Sequence, residues 1–254
     1  MIIAIDIGNS SINIGFFYKS NLFVKRFDTK QLMSSSGYTE LLEKVRREIN
    51  IDKLPVGSII SSVVPSLTNT WRDTLKRFIA VEPLIVNYKM NTGLTFDIPD
   101  PEQLGSDRIA NAVAACEIYK CPVAAVDFGT ATTMSITGQK KNYIGGAIIP
   151  GIRLMNESLA RETSTLTEIP LTPPGSALGT DTTKCIQSGL FYGTAGATEK
   201  ILNEIEKSTG FKFKVVVTGG YGGIIHNFLK RAHVLNPHLT LEGLKILYRK
   251  NANE

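Results

Sequence analysis

Apolar positions set two rhythms along the chain. Residues 2–5 are an unbroken apolar run that ends at Asp6, and a mostly apolar run at 12–17 follows Gly8, Ser10 and Ser11. This pattern predicts a buried strand, a tight glycine turn and a returning strand. Residues 22–27 read as a third strand. From 38 to 49 the period changes: Leu41, Leu42, Val45 and Ile49 share one helical face. Residues 56–64 predict a strand halted by Pro65, with Ser66 as cap of a helix through Phe78. A short strand at 83–86 follows. Strands alternating with helices predict an α/β layered domain containing parallel strands.

Residues 91–105 are irregular, carrying Gly93, Pro99 and Pro101. Gly105, Ser106, Asp107 and Arg108 then open a helix whose Ile109, Val113 and Cys116 lie on one face, with Ser106 suited to the N-cap. Asp107 falls in the first turn, where the helix dipole favours its charged form and lowers its pKa. The second half begins near Cys121 and Pro122. Strands are expected at 123–127, 132–136 and 143–149, and Pro150 and Gly151 lead into a helix at 152–161. Residues 163–180 are rich in Thr, Pro and Gly and predict an ordered surface loop. A long helix follows at 183–207, containing Gly189, Gly193 and Gly196. Each glycine costs a helix about 1 kcal/mol against alanine, so close packing or ligand approach is expected there. A strand at 214–217 enters the turn containing Gly219 and Gly220, and a helix at 240–250 follows.

One local grammar occurs twice. An apolar strand, Asp6, one apolar residue, Gly8 and hydroxyls recur as an apolar strand, Asp127, Phe128, Gly129, Thr130, Thr132 and Thr133, about half of the 254 residues later. Glycine lets backbone N–H groups approach an anion, hydroxyls add donors, and an Asp beside phosphate is suited to hold a metal ion. One such turn is an ordinary hairpin. Two, one per half, point to a duplicated unit with a phosphate site.

Composition changes this picture little. Hydrophobic content of 43% and charged content of 20% are ordinary for a globular protein. The formal charge of +5 is dispersed, and the densest basic stretch, 44–47, is flanked by Glu43 and Glu48 on a helical pattern. A solvated helix face explains it better than a nucleic-acid patch. No run reaches the length of a membrane helix and no signal peptide is evident, so the expected setting is cytoplasmic. Cys116, Cys121 and Cys185 are expected as reduced thiols, and their spacing from His226, His233 and His238 does not suit zinc.

In order, residues 6–10, 105–112, 126–132, 145–151, 187–193, 218–220 and 239–243 resemble the conserved segments of the bacterial type III pantothenate kinases, members of the actin-like and sugar-kinase-like ATPase superfamily. The resemblance spans nearly the whole chain. It implies duplicated ribonuclease-H-like domains, 1–118 and 119–254, with mixed sheets flanked by helices and a nucleotide cleft between them. The implied reaction is transfer of the γ-phosphoryl group of ATP to pantothenate, the first step of coenzyme A biosynthesis. Asp6, Ile7, Gly8, Asn9, Ser10, Ser11, Ile12 and Asn13 would form the first phosphate loop, with Asp6 helping to hold Mg²⁺. Thr130 would bind phosphate from the second loop, and Asp127 would bind a monovalent cation, K⁺ or NH₄⁺. Gly105, Ser106, Asp107 and Arg108 match the pantothenate signature, with Asp107 as a weak base that accepts the hydroxyl proton. Thr182 matches a substrate-contacting threonine, and Gly219 and Gly220 would receive adenosine. The family also implies a homodimer.

The chain departs from the family pattern in four places. Ser10 stands for a commoner threonine, Asn13 for a lysine or other polar residue, Ser106 for a frequent alanine, and Ile98 for a frequent tyrosine. Two other readings remain at this level: a non-catalytic family member acting as a regulatory or accessory binding protein, and a related kinase of a sugar or small acid. Retention of Asp6, Asp107 and Asp127 argues against the first, and the Gly105–Arg108 segment against the second.

Overall fold

The computed structural model describes residues 1–31, 34–50 and 53–252. Strands β1 (Ile2–Ile7), β2 (Ser11–Tyr18) and β3 (Asn21–Asp28) form an antiparallel meander. Helix α1 (Ser35–Glu48), β4 (Gly57–Ser62), α2 (Pro65–Ile79) and β5 (Leu84–Ile85) follow, with β4 parallel to both β1 and β5. The order is β3-β2-β1-β4-β5. A two-residue strand, β6 (Thr95–Phe96), lies in the irregular stretch before α3 (Ser106–Ala114).

The second part repeats this plan. Strands β7 (Val123–Phe128), β8 (Ala131–Thr137) and β9 (Asn142–Pro150) are an antiparallel meander, followed by α4 (Ile152–Glu162) and α5 (Thr182–Thr209). Strand β10 (Lys214–Thr218) pairs parallel with β7, and beyond the single turn α6 (Gly222–Ile225) β11 (Val234–Leu235) pairs parallel with β10. The order β9-β8-β7-β10-β11 thus reproduces β3-β2-β1-β4-β5 element for element. The chain is a duplicated α/β protein with two mixed sheets of ribonuclease-H-like topology.

Its compact units are Met1–Ala114 together with Leu239–Glu254, and Ala115–His238. The last helix, α7 (Leu239–Asn251), therefore belongs with the first unit, not with the second half in which sequence order would put it. The reason is local. A Cβ at Gly243 would overlap the Ala110 carbonyl, so only glycine lets α7 lie this close to α3, and Thr240 Oγ1 donates to Asn111 Oδ1 across the same contact at 2.8 Å.

Alternation along the strands decides which face each side chain enters. Ile3, Ile5 and Ile7 of β1 and Ile12, Ile14 and Phe16 of β2 join Leu42, Trp71 and Leu75 of α1 and α2 in the first core. The intervening positions, including Asp6 and Asn13, face the side lined by α7, where Leu241 approaches Gly15 and Lys245 lies over Phe17. In the second unit Ala124, Val126 and Phe128 enter a core with Ile186, Leu190 and Phe191 of α5, which leaves Asp127 on the opposite face.

Several local expectations shift. Ser34 caps α1 by accepting from Gly37 N at 3.2 Å, so the helix begins earlier than its apolar stripe. Pro65 supplies the first turn of α2, which has no side-chain cap, and Ser66 does not serve as one. Segment 163–180 is anchored as an ordered loop: Asn156 donates to Ile169 O at 2.9 Å, and Gln187 donates to Thr172 Oγ1 at 2.8 Å. Gly189, Gly193 and Gly196 are not packed against another element of this chain, since a Cβ at any of them would meet no atom within 4 Å beyond its own stretch of helix. The expectation of three reduced thiols is corrected for one pair. A π-helical turn, Ala115–Tyr119, and the left-handed Lys120 (φ 70°) bring Cys116 and Cys121 to a Cα separation of 5.1 Å, and they form a disulfide. Cys185 is a free, exposed thiol. Among the described residues no helix is long and apolar enough to cross a membrane.

Candidate active site

Each predicted phosphate loop is the turn of the first hairpin in its unit. Gly8 N donates to Ser11 O at 3.0 Å, and Gly129 N donates to Ala131 O at 3.1 Å. The first turn spans four residues between Ile7 and Ile12, and the second spans three between Phe128 and Thr132. The first is strapped from β3: Thr29 Oγ1 donates to Gly8 O at 2.7 Å, and Thr29 N donates to Ser10 O at 3.3 Å. The second is closed by Gly151, whose N–H donates to Thr130 O at 3.0 Å. A Cβ at Gly151 would overlap the carbonyl oxygens of Gly129 and Thr130, so glycine is what brings the start of α4 against this loop. Helix N-terminal N–H groups beside a loop favour anionic ligands.

Asp6 stands at the end of β1, opposite Asn13 on β2 and Ser61 on β4. Asn13 Nδ2 lies 3.4 Å from Asp6 Oδ2, and Ser61 Oγ donates to Asp6 Oδ1 at 3.2 Å. Both are neutral donors that orient the carboxylate, a ligand type suited to a hard cation such as Mg²⁺. Asp127 has the same place in the second unit, opposite Thr133 on β8 and Thr218 on β10. Gly219 (φ 93°) follows Thr218, and a Cβ there would overlap Asp127 Oδ1 and the Phe128 backbone. The glycine thus lets the turn after β10 pack directly against the Asp127 carboxylate and the Phe128 backbone.

Asp107 lies in the first turn of α3 and accepts from Arg108 N at 2.8 Å. Its carboxyl group folds back over Gly105, where an added Cβ would come within 2.5 Å of Oδ1. Burial pushes the Asp107 pKa up, outweighing the opposing pull of the Arg108 amide and guanidinium. The sequence expectation of a lowered pKa from the helix dipole is thus corrected. Desolvation dominates here.

Ser106 does not cap its own helix, contrary to expectation. Its hydroxyl accepts from Ser62 N at 2.8 Å, donates to Ser62 O at 3.1 Å and lies 3.0 Å from Ser61 Oγ. A hydrogen-bonded path therefore runs from Asp6 through Ser61 to Ser106, the neighbour of Asp107. Sequence reasoning missed Ser61 and Thr29. Ser61 lies in the segment read only as a strand halted by Pro65, and nothing in the residue order pairs it with Asp6.

Thr182 is the first residue of α5, whose N-cap Asp181 accepts from Lys184 N at 2.9 Å. It lines an open groove of about 660 Å³ with Leu159, Leu166, Gly179, Cys185 and Ile186. Within the first unit the structure thus brings together Asp6, Asn13, Ser106 and Asp107. Asp127 and Gly219 meet in the second unit, where Thr130 packs against Gly151 and Thr182 lies in the separate groove.

A family model for the type III pantothenate kinases matches residues 2–204. The type III pantothenate kinase of Agathobacter rectalis is 39% identical over 254 residues, covering 98% of this chain and 97% of the relative. That of Finegoldia magna is 38% identical, covering 100% and 99%. Among solved structures, the activator of the 2-hydroxyisocaproyl-CoA dehydratase from Clostridium difficile with bound ADPNP shares the fold. It has a TM-score of 0.56 at 10% identity, covering 100% of this chain and 98% of that one.

Proposed function

The chain belongs to the type III pantothenate kinase family, and from that premise we propose how its residues divide the work of the reaction. The reaction is ATP-dependent phosphorylation of pantothenate, the entry to coenzyme A biosynthesis. Phosphoryl transfer has a loose transition state with little covalent chemistry for the protein to perform, so positioning and charge neutralisation dominate.

In this reading the turn from Asp6 to Asn13, with Gly8 and Ser10 at its centre, receives the phosphates through backbone N–H groups and hydroxyls. Thr130 contributes from the second turn. Mg²⁺, held with the help of Asp6, would supply positive charge to the phosphate oxygens, and a monovalent cation would lie at Asp127. Gly219 and Gly220 would receive adenosine. Arg108 offers a planar, permanently charged fork suited to the pantothenate carboxylate or a phosphate. Thr182 contacts substrate from the start of α5.

The observation that carries this reading is the Asp107 carboxyl, turned over Gly105, held by the Arg108 amide and raised in pKa by burial. A carboxylate of raised pKa accepts a proton more readily than an ordinary aspartate, and it takes that of the attacking hydroxyl. The open glycine stripe of α5 and the exposed Tyr192, Leu178 and Ile148 support a second copy of the chain as partner. Its use of ATP argues for the cytoplasm.

Purified protein with ATP, Mg²⁺, K⁺ and pantothenate tests the proposal. Nucleotide turnover should depend on pantothenate and rise with K⁺. Turnover no greater than in buffer without pantothenate would remove the assignment.

A further inference from the structure

The hydroxyls of Ser61 and Ser106 share too few protons for the contacts they make. Ser61 Oγ reaches Asp6 Oδ1 at 3.2 Å and Ser106 Oγ at 3.0 Å. Ser106 Oγ also donates to Ser62 O at 3.1 Å while accepting from Ser62 N at 2.8 Å. Each hydroxyl carries one proton, so two protons serve three acceptor contacts: Asp6, the inter-serine link and Ser62 O. Both serines are buried, at 0% and 8% exposure, which keeps solvent from supplying the missing donor.

The charge at Asp6 decides the distribution. Facing a full carboxylate charge, the Ser61 proton is held by Asp6, because hydrogen bonds to ions are the stronger kind. The Ser106 proton is then divided between Ser61 Oγ and Ser62 O. Once a cation balances Asp6, the Ser61 proton turns to Ser106 Oγ, and the Ser106 proton goes wholly to Ser62 O. Ser106, which already contacts both backbone groups of Ser62, then holds them without sharing its proton, and the first turn of α3 is held more firmly to β4. Asp107 is the next residue.

We propose that Ser61 and Ser106 are positioning residues that couple the charge state of Asp6 to the anchoring of the helix start that carries Asp107. The proposal rests on the reading of Asp6 as the cation-side carboxylate and Asp107 as the base. Its effect is that cation and nucleotide binding tighten the hold on the base before the acceptor hydroxyl reacts.

The test is amide hydrogen exchange of residues 105–114 in the full chain, with and without Mg²⁺ and a non-hydrolysable ATP analogue, alongside steady-state kinetics. In the unsubstituted protein the Mg²⁺–analogue complex should slow exchange there by about three- to tenfold, the size of one neutral hydrogen bond. Ser61→Ala and Ser106→Ala should each abolish the slowing. The double variant should be no worse than either single one, and Ser106→Thr, which keeps the hydroxyl, should retain the effect. The KM for pantothenate should fall with Mg²⁺–ATP in the unsubstituted protein and stay constant in the alanine variants. Should Ser61→Ala fail to fold, Ser106→Ala decides alone. Slowing that persists in Ser106→Ala, or is absent without substitution, overturns the coupling. Failure of the site reading is separable: it shows as undiminished turnover in Asp107→Asn.

Discussion

Ser61 donates its hydroxyl to Asp6 from the adjacent parallel strand at 3.2 Å, and the equivalent pair in the second unit places Thr218 opposite Asp127. The duplication therefore repeats more than the Asp–x–Gly turn. It repeats a carboxylate at the end of the first strand with a hydroxyl residue beside it, and the two copies diverge where a four-residue turn becomes a three-residue turn.

The partly buried carboxyl of Asp107 has a stability consequence. Its pKa is raised in the folded state, so the folded protein binds this proton more tightly than the unfolded chain does. Stability from this group is present at low pH and is lost as pH rises from the unfolded value of about 4 through the folded one. Asp107→Asn removes the penalty. Thermal melts should show the variant more stable than the parent at pH 8, with the difference shrinking as pH falls toward 4.

Gly105 gives the Asp107 carboxyl its position. In Gly105→Ala the new Cβ would crowd Oδ1 and displace the group by a fraction of an ångström to an ångström. Misplacement on that scale costs about 10²-fold in rate. The kcat should fall by that order in steady-state assays, with the melting temperature changed little.

Gly219 is constrained twice, by φ of 93° and by contact with the Phe128 backbone and Asp127. Gly219→Ala should cost about 1–3 kcal/mol in urea unfolding, and the remaining folded enzyme should lose its response to K⁺.

Glu206 ties the end of α5 to the chain that follows. Its carboxylate accepts from Lys212 Nζ at 2.8 Å, from Arg231 at 2.6 Å and from Phe213 N at 3.1 Å. Burial pulls its pKa up, but these partners outweigh burial and hold it below the ordinary value. Its contribution is therefore present above the unfolded pKa and lost as pH falls through the folded one. Glu206→Ala leaves a half-buried Arg231 without its acid and should cost about 3 kcal/mol by urea unfolding at pH 7.

Much of the site was legible in the chain. The two turns announce themselves because apolar runs, carboxylate, glycine and hydroxyls are adjacent in sequence, and Gly105 to Arg108 is equally local. Ser61, Thr29 and Gly151 were not legible, because their roles arise from β4, β3 and the start of α4 meeting the turns through register. The direction of the Asp107 pKa was misread for a related reason: the helix dipole is visible in sequence, whereas burial belongs to the folded chain. The α5 glycines, expected to mark close packing or ligand approach, meet nothing else of this chain, so packing within the chain is not their reason.

The central claim is that Asp107 takes the proton of the pantothenate hydroxyl. It is tested most directly by measuring 4′-phosphopantothenate formation by the parent and by Asp107→Asn across pH. Parent kcat/KM should fall on the acid side with an apparent pKa above that of an ordinary aspartate, and Asp107→Asn should lose roughly 10²–10⁴-fold while still binding ATP. A variant that works at near-parental rate, with the acid limb unchanged, would contradict the account.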